Sequence, residues 1–285
     1  MERGQQYTMR LMKREELDLA VDWAALEGWN PGLSDAECFF STDPEGFLIG
    51  YLNDEPISCI SVVSYGPEFG FLGFYIVRPE YRGKGFGISL WNLAIKHLGD
   101  CNIGLDGVVA EQANYAKSGF HLAYRNIRYE GSDLGGGQES GGSGIVDLVG
   151  NGHPELVEYD SNCFGVPRAS FLEYWLKQPH VVALAKVQAG RLIGYGVIRP
   201  CREGYKIGPL FADDEGSAET LFLALCNRAG GSKVYLDVPE ANSAAVSLAD
   251  RHGMKIVFET ARMYTKTPPN ITLSKVYGVT SFELG

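Results

Sequence analysis

The chain has 285 residues, of which 45% are hydrophobic and 21% charged, and its formal net charge is −10. This composition is typical of a folded protein with a sizeable core and excludes an intrinsically disordered chain. No apolar run approaches the ~20 residues of a membrane span, and the acidic balance disfavours a nucleic-acid partner. The first residues lack the apolar core of a signal peptide. Six scattered cysteines without a Cys-x-x-Cys pair indicate reduced core thiols, no metal site and a cytoplasmic protein.

The first half of the chain alternates helical and strand patterns. Helical periodicity over residues 15–27 and 35–40 leads to a predicted hairpin of two strands, 46–52 and 56–65. A strand at 70–77 is followed by a glycine-rich turn and a helix at 88–98. A strand at 103–109, a short helix ending at Ser118 and a strand at 122–130 complete the half. We therefore expect an α/β fold, a sheet with flanking helices.

The second half repeats this order of elements. Residues 132–144 are mostly Gly, Ser and polar residues and predict a flexible linker. Beyond it follow a hairpin (181–187 and 191–199), a strand (205–211), a helix (217–228), a strand (233–238), a helix beginning at Asn242 and a strand (256–264). Such repetition predicts a tandem duplication. We place the two domains at residues 1–131 and 145–285.

The most informative run, YRGKGFG at residues 81–87, lies between the strand at 70–77 and the helix at 88–98. Its glycines leave backbone N–H groups unshielded at a helix N-terminus, which favours a pyrophosphate. A P-loop would need Ser or Thr after its lysine, and a dinucleotide-binding fingerprint spaces its glycines differently. What remains is Arg-x-x-Gly-x-Gly, entered through Val77-Arg78-Pro79.

That string resembles the acetyl-CoA loop of the GNAT superfamily of N-acetyltransferases. YAKSGF at 115–120 is similar to a second GNAT motif, Tyr-x-x-x-Gly-Phe, and the match covers residues from about 8 to 131. The second half resembles the GNAT-like C-terminal domain of tandem acetyltransferases, on FETARMY at 258–264 and YGVTSFELG at 277–285. The resemblance implies two tandem acyl-CoA N-acyltransferase domains. Acetyl-CoA would be the co-substrate, and an amine of a small molecule or a protein the acceptor.

The resemblance also assigns roles to residues of the first half. The acetyl-CoA-binding residues would be Tyr75, Ile76, Val77, Arg82, Gly83, Lys84, Gly85, Phe86, Gly87 and Asn114. Tyr115 is the candidate general acid, because a tyrosine is protonated at neutral pH and can donate as the thiolate leaves. Its other interpretation is an aromatic ring that packs the short helix on the sheet.

Three interpretations stand for the general base. Glu27, beside Trp29 in the turn between the first two helices, is the candidate base or ammonium-binding carboxylate. Asp106 is an alternative, but Leu105-Asp106 recurs as Leu236-Asp237 in the second half, which favours a structural role for it. A water relay to solvent, with no single base, stays open.

The second half lacks the features that resemble a cofactor site. The run at 81–87 is here named the glycine loop. The corresponding helix N-terminus of the second half carries three carboxylates, Asp213-Asp214-Glu215, and Ala249 stands at the position of Tyr115. Carboxylates can cap helix N–H groups and would repel a pyrophosphate. We expect this half to be catalytically silent and to form a wall or lid on the acceptor side, with the segment from Pro268-Pro269 to Gly285 crossing between the units. The alternative function is a non-catalytic acyl-CoA sensor, which would bind without turnover.

Overall fold

The computed structural model describes residues 6–135, 144–150 and 153–285, so residues 136–143 of the predicted linker lie outside the described residues. The first half contains β1 (Tyr7–Leu11), α1 (Arg14–Leu26), α2 (Asp35–Thr42), β2 (Phe47–Leu52), β3 (Glu55–Ser64), β4 (Phe69–Val77), α3 (Phe86–Leu98), β5 (Asn102–Val108), α4 (Gln112–Lys117) and β6 (His121–Gly131). The helices and strands predicted for this half are all present, and their ends differ from the prediction by no more than two residues.

The second half repeats this order from its first strand to its last long strand and adds one short strand at its C-terminal end. It contains β7 (Ile145–Asp147), α5 (Leu156–Phe164), α6 (Ala169–Trp175), β8 (Val182–Gln188), β9 (Arg191–Pro200), β10 (Tyr205–Ala212), α7 (Glu215–Cys226), β11 (Val234–Pro239), α8 (Ser243–Arg251), β12 (Lys255–Tyr264) and β13 (Val276–Gly278). The predicted α/β class and the repeated order of elements are confirmed.

One continuous sheet runs through both halves because they exchange their last long strands. β12, from the second half, lies between β5 and β6 and is antiparallel to both. β6, from the first half, pairs in turn with β11. The register places Asp106 opposite Arg262 and Asp237 opposite Arg128, so the β5–β12 pair repeats the β11–β6 pair. The repeat pattern in the sequence did not predict this exchange.

Each exchanged strand is fixed by a buried ion pair. Arg262 donates to Asp106 through Nε at 2.8 Å and Nη2 at 2.6 Å. Arg128 donates to Asp237 in the same two-pronged way, at 2.6 and 2.7 Å. Breaking a buried pair by removing one partner costs about 3–5 kcal/mol, because the other charge stays buried. These pairs give Asp106 a structural role, which its recurrence in the second half had favoured.

The cores of the two halves are joined as well. The Phe39 ring of α2 stacks on Trp175 of α6, with 6.1 Å between centroids. In the turn before α2, Asn30 exchanges two hydrogen bonds with the backbone of Glu203, at 3.0 and 2.9 Å. The turn that carries Glu27 and Trp29 is therefore held against the second half.

Of the six cysteines, all but Cys101 are buried. None of the helices in the described ranges has the length and apolar character needed to cross a membrane.

Candidate active site

A cavity opens where β4 and β5 separate. These strands pair in parallel from Phe69/Asn102 to Leu72/Leu105 and no further. β4 also bulges here: its register against β3 shifts, and Phe74 has a φ of 47°. Beyond this point lies a cavity of about 750 Å³. Beyond Leu72 and Leu105, the parts of β4 and β5 that line it are not paired with each other, so their facing backbone groups are available to a ligand.

The glycine loop forms one end of the cavity. Gly83 and Gly85 have φ of 72° and 88°, in the left-handed region that favours glycine. Gly85 is the N-cap of α3, and no side chain caps that helix end. A β-carbon on Gly87 would lie 2.7 Å from the hydroxyl oxygen of Tyr75, so only glycine fits there without a shift. The first N–H groups of α3 are left for a ligand, and the helix dipole favours an anion at this end.

The structure brings most of the predicted acetyl-CoA-binding residues to the cavity. Its lining includes Tyr75, Ile76, Val77, Arg82, Gly83, Gly85, Gly87 and Asn114. Lys84 and Phe86 lie outside the lining. The ammonium of Lys84 donates to the carbonyl of Glu80 at 2.9 Å. The Phe86 ring packs on Tyr7, with 4.9 Å between centroids, so its side chain anchors the start of α3 in the core.

Tyr115 lies at the far side of the cavity, on α4. Its side chain is 9% exposed, and its ring stacks on Trp91 with 5.7 Å between centroids. Gly107 makes room for it, because a β-carbon there would lie 2.2 Å from a ring carbon of Tyr115. Burial raises the pKa of Tyr115 above its ordinary value, and the charges of Glu111 and Tyr75 raise it further. The hydroxyl therefore stays protonated at any physiological pH.

Glu27 and Arg82, predicted separately as base and cofactor ligand, form an ion pair with each other. Arg82 donates through Nη2 to the Glu27 carboxylate and through Nε to the Val77 carbonyl, the latter at 2.7 Å. Both side chains line the cavity and are partly exposed. The pair places a carboxylate and a guanidinium together at the glycine-loop end.

In the second half, protein groups occupy the corresponding positions. β10 and β11 pair in parallel only as far as Ile207/Leu236, and past that point β13 pairs with β10 at Leu210/Gly278. β13 thus fills the gap that is a cavity in the first half. At the start of α7, the Asp214 carboxylate accepts a hydrogen bond from the Ser217 N–H at 2.8 Å. This hydrogen bond lowers the pKa of Asp214, so the helix end is capped by an anion. The silence of this half stays a prediction.

The second half also contributes four residues to the lining of the first-half cavity that the sequence did not predict as site residues. Phe258 and Thr260 come from β12, and Phe282 and Glu283 come from residues 279–285, here named the crossing segment. The crossing segment follows β13, and Arg168 donates to its Thr280 hydroxyl at 2.7 Å. The only sequence signal for this contribution was the predicted crossing of the segment from Pro268-Pro269 to Gly285 between the units.

Two of these side chains bury polar atoms without partners. Glu283 is 2% exposed, and neither of its carboxylate oxygens has a hydrogen-bond partner in the part of the chain that the structure describes. Thr260 is also 2% exposed, and its hydroxyl oxygen has no hydrogen-bond partner among the described residues. Buried polar side chains nearly always have a partner, but these oxygens are themselves covered by protein and do not open onto the cavity.

Comparisons with known proteins agree with this architecture. Two family profiles match, the Acetyltransferase (GNAT) family over residues 10–121 and an Acetyltransferase (GNAT) domain over residues 156–278. The chain is 33% identical to the holothin acyltransferase of Pseudoalteromonas sp. (strain SANK 73390), over 100% of this chain and 97% of that protein. It is 25% identical to the uncharacterized N-acetyltransferase YitH of Bacillus subtilis (strain 168), over 70% of this chain and 71% of that protein.

Solved structures share the fold. A proposed acetyltransferase from Pyrococcus horikoshii superimposes with a TM-score of 0.84 at 23% identity, covering 100% of this chain and 97% of that one. A tandem GNAT protein from the clavulanic acid biosynthesis pathway superimposes with a TM-score of 0.60 at 13% identity, covering 93% of this chain and 100% of that one. At these identities the likeness concerns the fold alone. The full-length relative and the two matching profiles show that the chain belongs to the GNAT acetyltransferase family. It is an N-acyltransferase with two GNAT domains in tandem.

Proposed function

We propose that this chain transfers an acetyl group from acetyl-CoA to a primary amine of a small molecule or a protein, by direct attack in a ternary complex. The observation that carries the proposal is the single cavity that runs from the uncapped glycine loop to Tyr115 between the separated strands β4 and β5. Such a cavity would offer N–H groups for a phosphate at the glycine loop, unpaired backbone groups of β4 along its length, and the Tyr115 hydroxyl at its far side.

The residues present fit a phosphorylated thioester substrate. The N–H groups at the start of α3, with Arg82 at the rim, would receive the pyrophosphate. Because pairing with β5 ends at Leu72, the N–H groups near Tyr75, Ile76 and Val77 would receive the pantetheine arm and the carbonyl oxygen. A fixed donor at a developing oxyanion is worth about 2.7–4 kcal/mol. Acetyl-CoA itself supplies the activated acyl group.

Tyr115 would act as the general acid. Its raised pKa keeps the hydroxyl protonated, so a proton is available for the CoA thiolate as it leaves. The phenol O–H bond breaks, its proton goes to the sulfur, and solvent restores the phenol. The stacking on Trp91 keeps the ring in one orientation for this step.

Glu27 would accept the proton that the ammonium must lose before attack. In the structure Arg82 occupies the Glu27 carboxylate, so this role requires Arg82 to turn towards the pyrophosphate when the co-substrate binds. The base would then become available only in the loaded enzyme. Glu27→Gln is expected to lower kcat while leaving acetyl-CoA affinity nearly unchanged, and an unchanged kcat would assign the proton transfer to a water relay.

The direct test is CoA release from acetyl-CoA in the presence of a panel of primary amines. Because the full-length relative is named an acyltransferase, longer acyl-CoA thioesters belong in the same panel. Turnover with acetyl-CoA that depends on an amine supports the proposal. Preferred turnover of a longer acyl-CoA would correct the acyl group. Binding of acetyl-CoA without CoA release across the panel would overturn it in favour of a non-catalytic sensor.

A further inference from the structure

One buried arginine joins three aromatic residues of the cavity lining. Trp29 comes from the turn between α1 and α2, Phe258 from β12 and Phe282 from the crossing segment, and together they are here named the aromatic wall. Arg128 of β6 donates through Nη1 to the Trp29 carbonyl at 2.6 Å. Its guanidinium lies 4.7 Å from the centroid of the Phe282 ring and 5.9 Å from that of Phe258. Arg128 is 2% exposed and is not part of the lining, so it supports the aromatic wall from behind.

Asp237 fixes the orientation of this guanidinium. Its two carboxylate oxygens accept from Nε and Nη2 of Arg128 at 2.6 and 2.7 Å, so with the Trp29 bond all three guanidinium nitrogens have a partner. The backbone carbonyl of Asp237 accepts a hydrogen bond from the Val279 N–H at 2.8 Å, where the crossing segment begins. A planar guanidinium held by a two-pronged carboxylate has little freedom to rotate. The ion pair that fixes an exchanged strand thus also fixes the support of the aromatic wall.

The turn that carries Trp29 depends on contacts of this kind. Gly28 and Asn30, on either side of Trp29, have φ of 80° and 49°, so the chain follows no regular helix or strand here. The Trp29 N–H donates to the Ala24 carbonyl at 3.0 Å, and the Trp29 carbonyl accepts from Arg128. Helix α1 therefore holds the amide side of Trp29, and Arg128 holds its carbonyl side.

The aromatic wall belongs to the acceptor rather than to acyl-CoA. Glu27, the proposed base, precedes Trp29 by two residues in the same turn. The turn, β12 and the crossing segment contribute none of the residues assigned above to acyl-CoA. Aromatic side chains bury large apolar areas and pack well on other rings, offset or edge-on. The aromatic wall therefore suits an acceptor whose amine is attached to an apolar ring.

We propose that Arg128, held by Asp237, is the positioning residue of the aromatic wall, and that this wall selects acceptors whose primary amine carries an aromatic or similarly flat apolar group. The proposal rests on acyl transfer at this cavity and adds the part of the acceptor that the protein recognises. Arg128 takes no part in the chemistry. It keeps Trp29 and Phe282 in place, so that the apolar group meets a preformed surface and little ordering is needed on binding.

The test replaces Arg128 in the intact protein in two ways. Arg128→Lys keeps a positive charge beside Asp237 but lacks the planar fork that joins Asp237 to Trp29. The double variant Arg128→Met with Asp237→Leu removes the buried pair as a whole, a change that is often neutral or stabilising. Arg125→Lys is the control, a partly exposed arginine of the same strand outside the cavity lining. Acetyl-CoA affinity, measured by calorimetry, shows that each variant is folded.

Two measurements report on the aromatic wall. Binding of 2-phenylethylamine, an aromatic primary amine, and of glucosamine, a polar one, is measured by calorimetry in the presence of CoA. Quenching of tryptophan fluorescence by acrylamide reports the accessibility of Trp29, because the other three tryptophans, Trp23, Trp91 and Trp175, are buried. The signal that is absent from Trp29→Phe is that of Trp29.

We expect Arg128→Lys to weaken 2-phenylethylamine binding by at least about tenfold, as for loss of a hydrogen bond to a charged group, and to increase the quenching of Trp29. In turnover, KM for this amine should rise while kcat changes little. Glucosamine binding and acetyl-CoA affinity should stay unchanged, and the control should match the wild type. The double variant should show the same loss although its urea midpoint stays near that of the wild type. A purely structural role for the pair would instead restore binding in the double variant.

Wild-type binding of 2-phenylethylamine by either variant would overturn the inference, as would unchanged quenching of Trp29 in Arg128→Lys. Wild-type protein that binds no aromatic amine of the panel, or that binds glucosamine as tightly, would also contradict it. Octanoyl-CoA is titrated in the same way, and a loss confined to it would assign the aromatic wall to the acyl group instead.

The outcome for acyl transfer is read separately, from CoA release. Binding of 2-phenylethylamine that depends on Arg128 but leads to no CoA release would leave the inference standing and remove the proposed function. Amine-dependent CoA release that is indifferent to Arg128→Lys would do the reverse.

Discussion

Gly73 of β4 and Glu283 of the crossing segment are in backbone contact, although they belong to different halves of the chain. A β-carbon on Gly73 would lie 2.1 Å from the Glu283 carbonyl oxygen, closer than real β-carbons approach. The absence of a side chain at this position lets the crossing segment lie directly on the strand that lines the cavity. The same contact joins the second half to the cavity wall of the first.

Gly73→Ala should therefore displace the crossing segment. We expect a loss of about 1–3 kcal/mol in the free energy of unfolding, as for an overpacked core. Because the crossing segment also carries Phe282 of the cavity wall, kcat/KM for the acceptor should fall while acetyl-CoA affinity changes little. Urea unfolding and steady-state kinetics measure the two effects. Gly216→Ala is the control, since its β-carbon would meet nothing closer than 3.3 Å. Equal behaviour of the two variants would show that the contact has no role.

Tyr115→Phe should lower kcat strongly and leave acetyl-CoA affinity nearly unchanged. The variant removes the proton donor but keeps the ring that stacks on Trp91. General acid–base catalysis contributes about 10²–10⁴-fold, so a loss above tenfold is expected. Tyr129→Phe is the control, a buried tyrosine of β6 outside the cavity lining. If kcat is unchanged under conditions where the chemical step limits the rate, Tyr115 serves packing alone.

Stability should fall at alkaline pH. Burial raises the pKa of Tyr65, Tyr115 and Tyr195 in the folded state, and the charge of Asp160 adds to the effect at Tyr195. In the unfolded chain a tyrosine titrates near about 10. Above that pH the unfolded state releases protons that the folded state retains, so the free energy of unfolding decreases as pH rises.

The contribution of these tyrosines is therefore fully present below about pH 10 and is lost as pH rises towards their folded-state pKa values. Urea midpoints measured from neutral pH to about pH 11 follow the change. Tyr115→Phe should show a shallower decline than wild type, because one of the raised groups is gone. A stability that is flat across this range would contradict the burial of these hydroxyls.

A fragment that ends at Gly131 should fail to fold as it does in the intact protein. It retains β6 but lacks β12, so β5 loses its neighbour and Asp106 loses Arg262. The lost ion pair alone costs about 3–5 kcal/mol, a large share of the 5–15 kcal/mol that stabilises typical proteins. Circular dichroism melts of the fragment and of the full chain make the comparison. A fragment with a cooperative transition and full acetyl-CoA affinity would show that β6 can replace β12 beside β5.

Local patterns were sufficient to predict the class of fold, the order of the elements and the glycine loop. The run from β4 through Gly83 and Gly85 to α3 is continuous in sequence, so its chemistry could be inferred from neighbouring residues alone. The duplication also gave useful information about Asp106, because its counterpart Asp237 recurs in the half without a glycine loop. Asp106 and Asp237 both proved to be bound by arginines on exchanged strands.

The exchange itself could not be predicted, because β6 and β12 are similar in length, with 11 and 10 residues, and both follow a helix at the end of their half. Either strand offers a suitable edge to β5 or to β11, and the choice is made by long-range packing. Glu283 was missed for a related reason. It lies in the YGVTSFELG run at 277–285, which indicated the family but no role for this residue, and its place at the cavity depends on the path that the chain takes after β13. The pairing of Glu27 with Arg82 likewise joins residues far apart in sequence.

The most direct test of the account is a calorimetric titration of the intact chain with acetyl-CoA. The uncapped loop of the first half and the gap filled by β13 in the second predict one site per chain. Gly85→Asp, which adds bulk and negative charge to the loop, should abolish that site. Gly230→Asp, at another left-handed glycine with open space around it, should leave it intact. Two equivalent sites on the wild-type chain, or a single site that survives Gly85→Asp, would contradict the account.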